Sequence, residues 1–146
     1  MYANNSPVLV TTRATVQKPL STATEERDNV VAVNWHMQCS KEPMHYIISL
    51  NKKSFSHQLL LKSHAFVVNN MPGTMKDTIE KCGQVSGRNV DKFSKFNVFR
   101  EPARTVDCPR LKDAKSFIEC KVSSVIDCGD HSIFIGKVLF SSKGDG

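Results

Sequence analysis

Two runs of β-forming residues, Ser116 to Ile126 and Ser132 to Phe140, flank the four residues Cys128-Gly129-Asp130-His131, and this pairing limits the fold more than any other feature of the chain. A Gly-Asp step between two such runs reads as a tight turn, so the runs form an antiparallel hairpin. In the second run Ile133, Ile135 and Lys137 fall on one face, and Phe134, Gly136 and Val138 on the other. Apolar residues on both faces predict burial on both sides, or a subunit contact on one. Gly136 weakens a strand interior, which predicts a close backbone approach or a bulge there.

Shorter strands are expected upstream. Pro7-Val8-Leu9-Val10-Thr11-Thr12, Asn29-Val30-Val31-Ala32-Val33, Tyr46-Ile47-Ile48-Ser49-Leu50 and Ala65-Phe66-Val67-Val68-Asn69 have the composition of strands. Residues 14–28 are polar, carry one proline and read as a loop or a distorted hairpin. Short helices are expected over Ser56–Leu61, capped by Ser54 or Ser56, and over Thr74–Lys81, capped by Thr74. Strands joined by so few helices argue against a doubly wound α/β fold. They favour one domain over residues 1–146, a closed or nearly closed antiparallel barrel, because closure removes aggregation-prone edges.

The 146 residues suffice for one core, and 40% hydrophobic with 23% charged residues is an ordinary soluble composition. No apolar run is long enough to span a bilayer as a helix, and Met1-Tyr2-Ala3-Asn4-Asn5-Ser6 lacks the basic start and apolar stretch of a signal peptide. A cytoplasmic location is the expectation. Five cysteines, an odd number without zinc-knuckle spacing, read as free thiols in a reducing compartment, and no metal site is expected. The net charge of +6 comes from scattered lysines, with no basic helix or block. A basic excess of this kind suits an anionic cofactor as well as nucleic acid; the aromatics lie mostly in apolar strand contexts, so no nucleic-acid partner is expected.

The segment Cys82-Gly83-Gln84-Val85-Ser86-Gly87-Arg88-Asn89-Val90-Asp91-Lys92-Phe93 places two glycines, a serine, an arginine and a lysine in one polar stretch. Flexible backbone, free amides and positive charge together suit a bound phosphate, although the same composition serves ordinary surface turns. No Gly-x-Gly-x-x-Gly follows a strand, and no Ser-His-Asp, Cys-His or paired-carboxylate pattern stands out.

Taken in order, the strand segments above, Asp28 to Trp35, Ser54-Phe55-Ser56-His57, the loop from Cys82 to Phe93, and Gly129-Asp130-His131-Ser132-Ile133-Phe134-Ile135-Gly136-Lys137-Val138 resemble the flavin reductase-like family. Its members include flavoredoxins and archaeal ferric reductases. The resemblance runs from Pro7 to about Phe140 and implies a mainly β fold, an antiparallel split β-barrel with short helices. It also implies a homodimer with tightly but non-covalently bound FMN near the subunit interface, and NAD(P)H as the reductant. Electrons would pass to free flavin, ferric iron or a protein acceptor; the alternative is a non-catalytic FMN-binding protein or shuttle that does not use NAD(P)H.

Carried over by motif, Asn29, Val30, Val31 and Ala32 would line the flavin, with Asn34 and Trp35 next to them. Ser49, Leu50 and Asn51 would run beside the ring and ribityl chain, and Lys52, Ser54 and His57 would lie near the phosphate. Ser86, Gly87 and Arg88 match the family's second polar contact, and Lys92 and Phe93 close that loop. His131 would orient nicotinamide or the outer flavin face, and Cys39 is a candidate redox thiol. Two departures stand out. The turn between the first two strands is longer than usual, through Lys18-Pro19-Leu20, and the sequence stops at Gly146 where many relatives continue, which bears on the substrate face.

Overall fold

The structure, a computed structural model, describes residues 6–143; residues 1–5, on which the absence of a leader was argued, and 144–146 lie outside it. The C-terminal hairpin is its longest feature. Strands β8 (Ser116–Cys128) and β9 (His131–Lys143) meet at Gly129-Asp130. Before them come β1 (Val8–Gln17), β2 (Thr24–Val33), β3 (His36–Lys41), β4 (Met44–Asn51), α1 (Phe55–Ser63) and β5 (Ala65–Asn70). A 3₁₀ turn (Gly73–Met75), α2 (Lys76–Gln84), the single turn α3 (Lys92–Lys95) and a ribbon of β6 (Arg100–Pro102) and β7 (Pro109–Leu111) follow.

Seven strands form one antiparallel sheet in the order β2-β1-β5-β8-β9-β4-β3. Its edge strands, β2 and β3, are consecutive in the chain and separated only by Asn34 and Trp35. A sheet whose two edges are joined by so short a link must curl. Its concave face is filled by Val10, Ile48, Leu60, Phe66, Val68, Cys120 and Phe134. Burial pushes the Cys120 thiol up to about 12, so it packs as a small apolar group. The expectation of a mainly β chain with short helices holds. Closure does not: among the described residues no ladder joins β2 to β3, and the sheet stays open along that seam.

A second core forms outside β1 and β2, where α2, α3 and the β6–β7 ribbon cover Leu9 and Val30 with Ile79, Cys82, Phe93, Val98 and Leu111. Gly136 answers to both of its expected causes. An added Cβ would lie 2.7 Å from Cys120 Cβ and from Phe66 Cζ, and the register of β8 shifts between Val122 and Ser124, opposite Gly136.

Phe134 is fully buried, while Ile133 and Ile135 are half-buried on the convex face. Directly paired residues share a face. Ile135 therefore continues through Ile47 to exposed Met37, and Ile133 pairs with exposed Ile126. The two-faced strand thus exposes an apolar stripe.

Of the two readings of residues 14–28, the hairpin is the one the structure takes, with residues 18–23 as its turn. Residues 14–17 and 24–28 are the outer halves of β1 and β2, which stay in unbroken register from Val8↔Val33 to Gln17↔Thr24. Their polarity reflects exposure, and Arg13 pairs with its cross-strand partner Asp28 at 2.6 Å. Strand β3 and the β6–β7 ribbon escaped sequence analysis because they are short, and β3 is mostly exposed. Helix α1 starts as expected, with Ser54 as its cap. Thr74 does not cap α2: it lies within the 3₁₀ turn, and Met75 precedes the helix without a side-chain cap bond.

Candidate functional site

The link that turns β2 into β3 is also the floor of a cleft. Ser49 N–H on β4 donates to the Trp35 carbonyl at 3.0 Å, which fixes the corner against the end of β4. The register of β4 with β9 sets Asn51 opposite His131. Trp35 and His131 rings are then in contact, centroids 4.8 Å apart and tilted by 47°. His131 Nδ1 lies 2.7 Å from Asp130 Oδ1, and this hydrogen bond holds the Asp130 carboxyl below its usual range. Lys52 N–H donates to the Asp130 carbonyl at 3.0 Å, and the Lys52 ammonium pairs with Asp127. The resulting cleft, about 240 Å³, is lined by Val31, Ala32, Val33, Asn34, Trp35, Ser49, Leu50, Asn51, Ser54 and His131.

Ser54 connects this cleft to a second polar region. Its Oγ accepts the His57 amide at 3.1 Å and donates to the Asn51 carbonyl at 2.8 Å. A helix leaves its first amides without intrahelical partners; the cap satisfies one, and the first turn of α1 contains no acidic residue. Beside that turn, the guanidinium groups of Arg27 and Arg88 stand over the Phe55 ring at 5.4 and 5.5 Å. Arg27 also donates to the carbonyls of Gly87 and Arg88, and Arg88 donates to Gln58 Oε1 at 3.0 Å. These bonds lay the Ser86–Arg88 segment over the start of α1. Ser86 Oγ accepts the Arg88 amide at 3.1 Å. The approach is so close that a Cβ on Gly87 would fall 1.8 Å from Asn29 Oδ1. Asn29 Nδ2 in turn donates to Ser56 Oγ at 2.7 Å and is buried. Two guanidinium groups beside a helix N-terminus form an anion-binding arrangement.

The structure thus gathers Val31, Ala32, Asn34, Trp35, Ser49, Leu50, Asn51, Ser54 and His131 around the cleft, and Ser86, Gly87 and Arg88 beside it. Lys52 flanks the His131 turn. Several other expected residues are elsewhere. The Val30 side chain belongs to the outer core, and that of Asn29 lies beneath Gly87. The His57 ring turns inward, with Nε2 2.8 Å from Ser132 Oγ and its edge on Phe134, and burial lowers its pKa. Lys92 and Phe93 do not close the polar loop around the cleft: both are buried, and the Lys92 ammonium donates to two backbone carbonyls. Cys39 is exposed on β3, four residues beyond Trp35, and lines no part of the cleft. Among the described residues no group of three or more His, Cys, Asp or Glu side chains is arranged to hold a metal ion, and no helix is long and apolar enough to cross a membrane.

Arg27 and Phe55 were missed from sequence. Arg27 sits in the polar stretch 14–28, which has no apolar alternation to mark a buried position. Phe55 was visible only as part of the Ser54–His57 segment.

The family described as Flavin reductase like domain matches residues 1–142. The chain belongs to that family. An FMN-binding protein from Thermus thermophilus, solved with bound 1-cyclohex-2-enone, superposes with a TM-score of 0.84 at 30% identity, covering 99% of this chain and 74% of that one. Flavoredoxin of Desulfovibrio vulgaris (Miyazaki F) shares the fold with a TM-score of 0.82 at 24% identity, covering 99% of this chain and 72% of that one. Among curated relatives, the ferric-chelate reductase (NAD(P)H) of Archaeoglobus fulgidus is 26% identical over 107 residues, 73% of this chain and 62% of the relative. An uncharacterized protein of Pyrococcus abyssi is 32% identical over 111 residues, 76% of this chain and 63% of its own length. The chain therefore spans less than two thirds of the length of these two curated relatives.

Proposed function

We propose that the chain is an oxidoreductase that holds FMN non-covalently, with the ring in the Asn34–Trp35 cleft and the phosphate at the start of α1. Electrons would enter from NAD(P)H and leave to free flavin, ferric iron or a protein acceptor. The observation that carries this reading is the continuity of the two subsites through Ser54, which lines the apolar cleft and caps the helix that Arg27 and Arg88 flank. An elongated ligand with a flat apolar end and a dianionic end meets a matching donor set at each point.

FMN would supply the hydride and electron chemistry when bound. The residues bind and orient. Val31, Val33 and Leu50 offer apolar wall, and backbone amides of the β2 edge and of Asn51 suit the polar rim of the ring. The α1 amides with Arg27 and Arg88 match a phosphate. Asp130 fixes the ring of His131, and Trp35 supports its face, so this histidine would narrow the approach and orient a nicotinamide. No side chain is needed as nucleophile or general acid, in keeping with a site that lacks such a constellation.

A cleft of about 240 Å³ falls short of the roughly 300–1,000 Å³ that encloses a ligand of this size. We assign the missing wall to a second copy in a split-barrel homodimer. Exposed Trp35 and the convex stripe of Met37, Ile47, Ile135, Ile133 and Ile126 supply apolar surface for it. Free Cys39 and Cys128 suit a reducing cytoplasm.

The test is an absorbance spectrum of the FMN-loaded protein under anaerobic conditions, before and after NADH and then NADPH. Bleaching of the flavin band by either nucleotide supports the reductase. Persistent yellow colour with both selects the alternative, an FMN-binding shuttle without direct NAD(P)H use. A preparation that takes up no FMN overturns both.

A further inference from the structure

Lys92 is the first residue of α3, is 3% exposed, and donates 2.8 Å hydrogen bonds to the carbonyls of Val30 and Cys82. Among the described residues no carboxylate lies within ion-pair distance of it. The titratable and charged groups on the surrounding elements are Lys76, Asp77, Glu80, Lys81 and the Cys82 thiol on α2, Glu25, Glu26, Arg27 and Asp28 on β2, Arg100 and Glu101 on β6, and Asp91 and Lys95 on its own segment. Asp28 is taken by Arg13 and Arg100, and Asp91 by the Phe93 and Ser94 amides. A buried cation without a counter-charge is costly, and burial pushes its pKa down. The ammonium serves two carbonyls, one of them in the last turn of α2, that an apolar chain of similar length would leave unpaired.

The position relative to the cleft gives the charge a use. Alternate residues of an antiparallel strand turn their amides to the same edge. The Ala32 amide, two residues beyond the carbonyl that Lys92 binds and about 7 Å along the strand, therefore faces the edge that Lys92 occupies. Ala32 lines the cleft.

On the reading that this cleft holds FMN, we infer that Lys92 is a positioning residue, a buried cation behind β2 that favours the negative charge the ring gains on reduction. A hydride carries two electrons and one proton, so a neutral ring that accepts one gains a single negative charge, and NAD(P)H leaves as NAD(P)⁺. At a separation of roughly 10 Å and an effective dielectric near 20, Coulomb's law favours the reduced ligand by about tenfold.

The experiment compares Kd for FMN, oxidised and dithionite-reduced, in the unsubstituted protein, Lys92→Met and Lys92→Arg. Lys92→Met is expected to weaken the reduced form about tenfold more than the oxidised one, equivalent to a two-electron midpoint lower by about 30 mV. Lys92→Arg is expected to keep the ratio. A purely structural lysine would change both affinities together, and an unchanged ratio in Lys92→Met overturns the inference. If that variant does not fold, ¹⁵N-lysine NMR of the unsubstituted FMN complex decides: the Lys92 amine is expected to titrate higher once the flavin is reduced, and an unmoved titration overturns it. Failure to bind either form sinks the FMN reading and the role of Lys92 together. Tight binding of both forms with an unchanged ratio sinks the Lys92 role alone.

Discussion

Replacing Gly87 by alanine tests how the polar loop is seated on the site. The new Cβ would lie 1.8 Å from Asn29 Oδ1 and 2.9 Å from its Cγ, so either Asn29 or the loop must move. If Asn29 yields, its 2.7 Å bond to Ser56 Oγ breaks in a buried setting. Leaving such groups unpaired costs roughly 1–3 kcal/mol. Unfolding entropy of about 2.1 cal/mol/K per residue over 146 residues makes each kcal/mol worth about 3 °C, so Tm should fall by about 3–10 °C. The decisive assay is a double-mutant cycle by thermal or urea melts of the FMN-free protein. Asn29→Ala removes the atom that the new methyl strikes, so Gly87→Ala should cost at least 1 kcal/mol less in that background. Additive effects, or an unchanged Tm in the single variant, would refute the seating of the loop on Asn29.

Three further outcomes are expected. Gly136→Ala should destabilise the chain by about 1–3 kcal/mol through overpacking, because its Cβ meets Phe66 and Cys120 at 2.7 Å; urea unfolding measures this, and a neutral result contradicts the close approach. Burial lowers the His57 pKa in the folded state, so between the folded and unfolded values the unfolded chain binds more protons. Stability should therefore be full above about pH 6.5 and fall as the pH drops through that value; denaturation at pH 5 to 7.5 should show this slope, and His57→Gln should flatten it. Ile126→Asp, which charges the exposed stripe, should shift sedimentation from dimer to monomer, and an unaffected dimer would move the subunit contact elsewhere.

The legible parts of the sequence were those where burial and turn chemistry agree. The β8–β9 hairpin was readable from its Gly-Asp step, and Gly136 announced a close approach or a bulge, of which the structure has both. The α1 cap was readable because Ser54 precedes an apolar stretch. What escaped had a physical reason. The outer β1–β2 hairpin stayed open between loop and hairpin, because it is held by backbone register and the Arg13–Asp28 pair rather than by apolar alternation. Strand β3 is exposed over most of its length. At the site, motif order named residues that the fold brings around one cleft: Val31, Ala32, Asn34 and Trp35 from one segment and Ser49, Leu50 and Asn51 from another. It does not encode side-chain direction, so Val30, His57 and Lys92 were assigned to a surface from which they turn away. Arg27 was invisible for the opposite reason: its role depends on a contact with Gly87 and Arg88, about sixty positions further on.

Trp35 is the single tryptophan of the chain and lies on the cleft wall, so its fluorescence reports on the central claim. Titrating the FMN-free protein with FMN should quench that emission saturably, with one FMN per chain, and Arg88→Ala should shift the curve to weaker binding. Uptake of FMN with the tryptophan emission unchanged, once absorption by the ligand itself is corrected for, would place the flavin elsewhere and contradict the account.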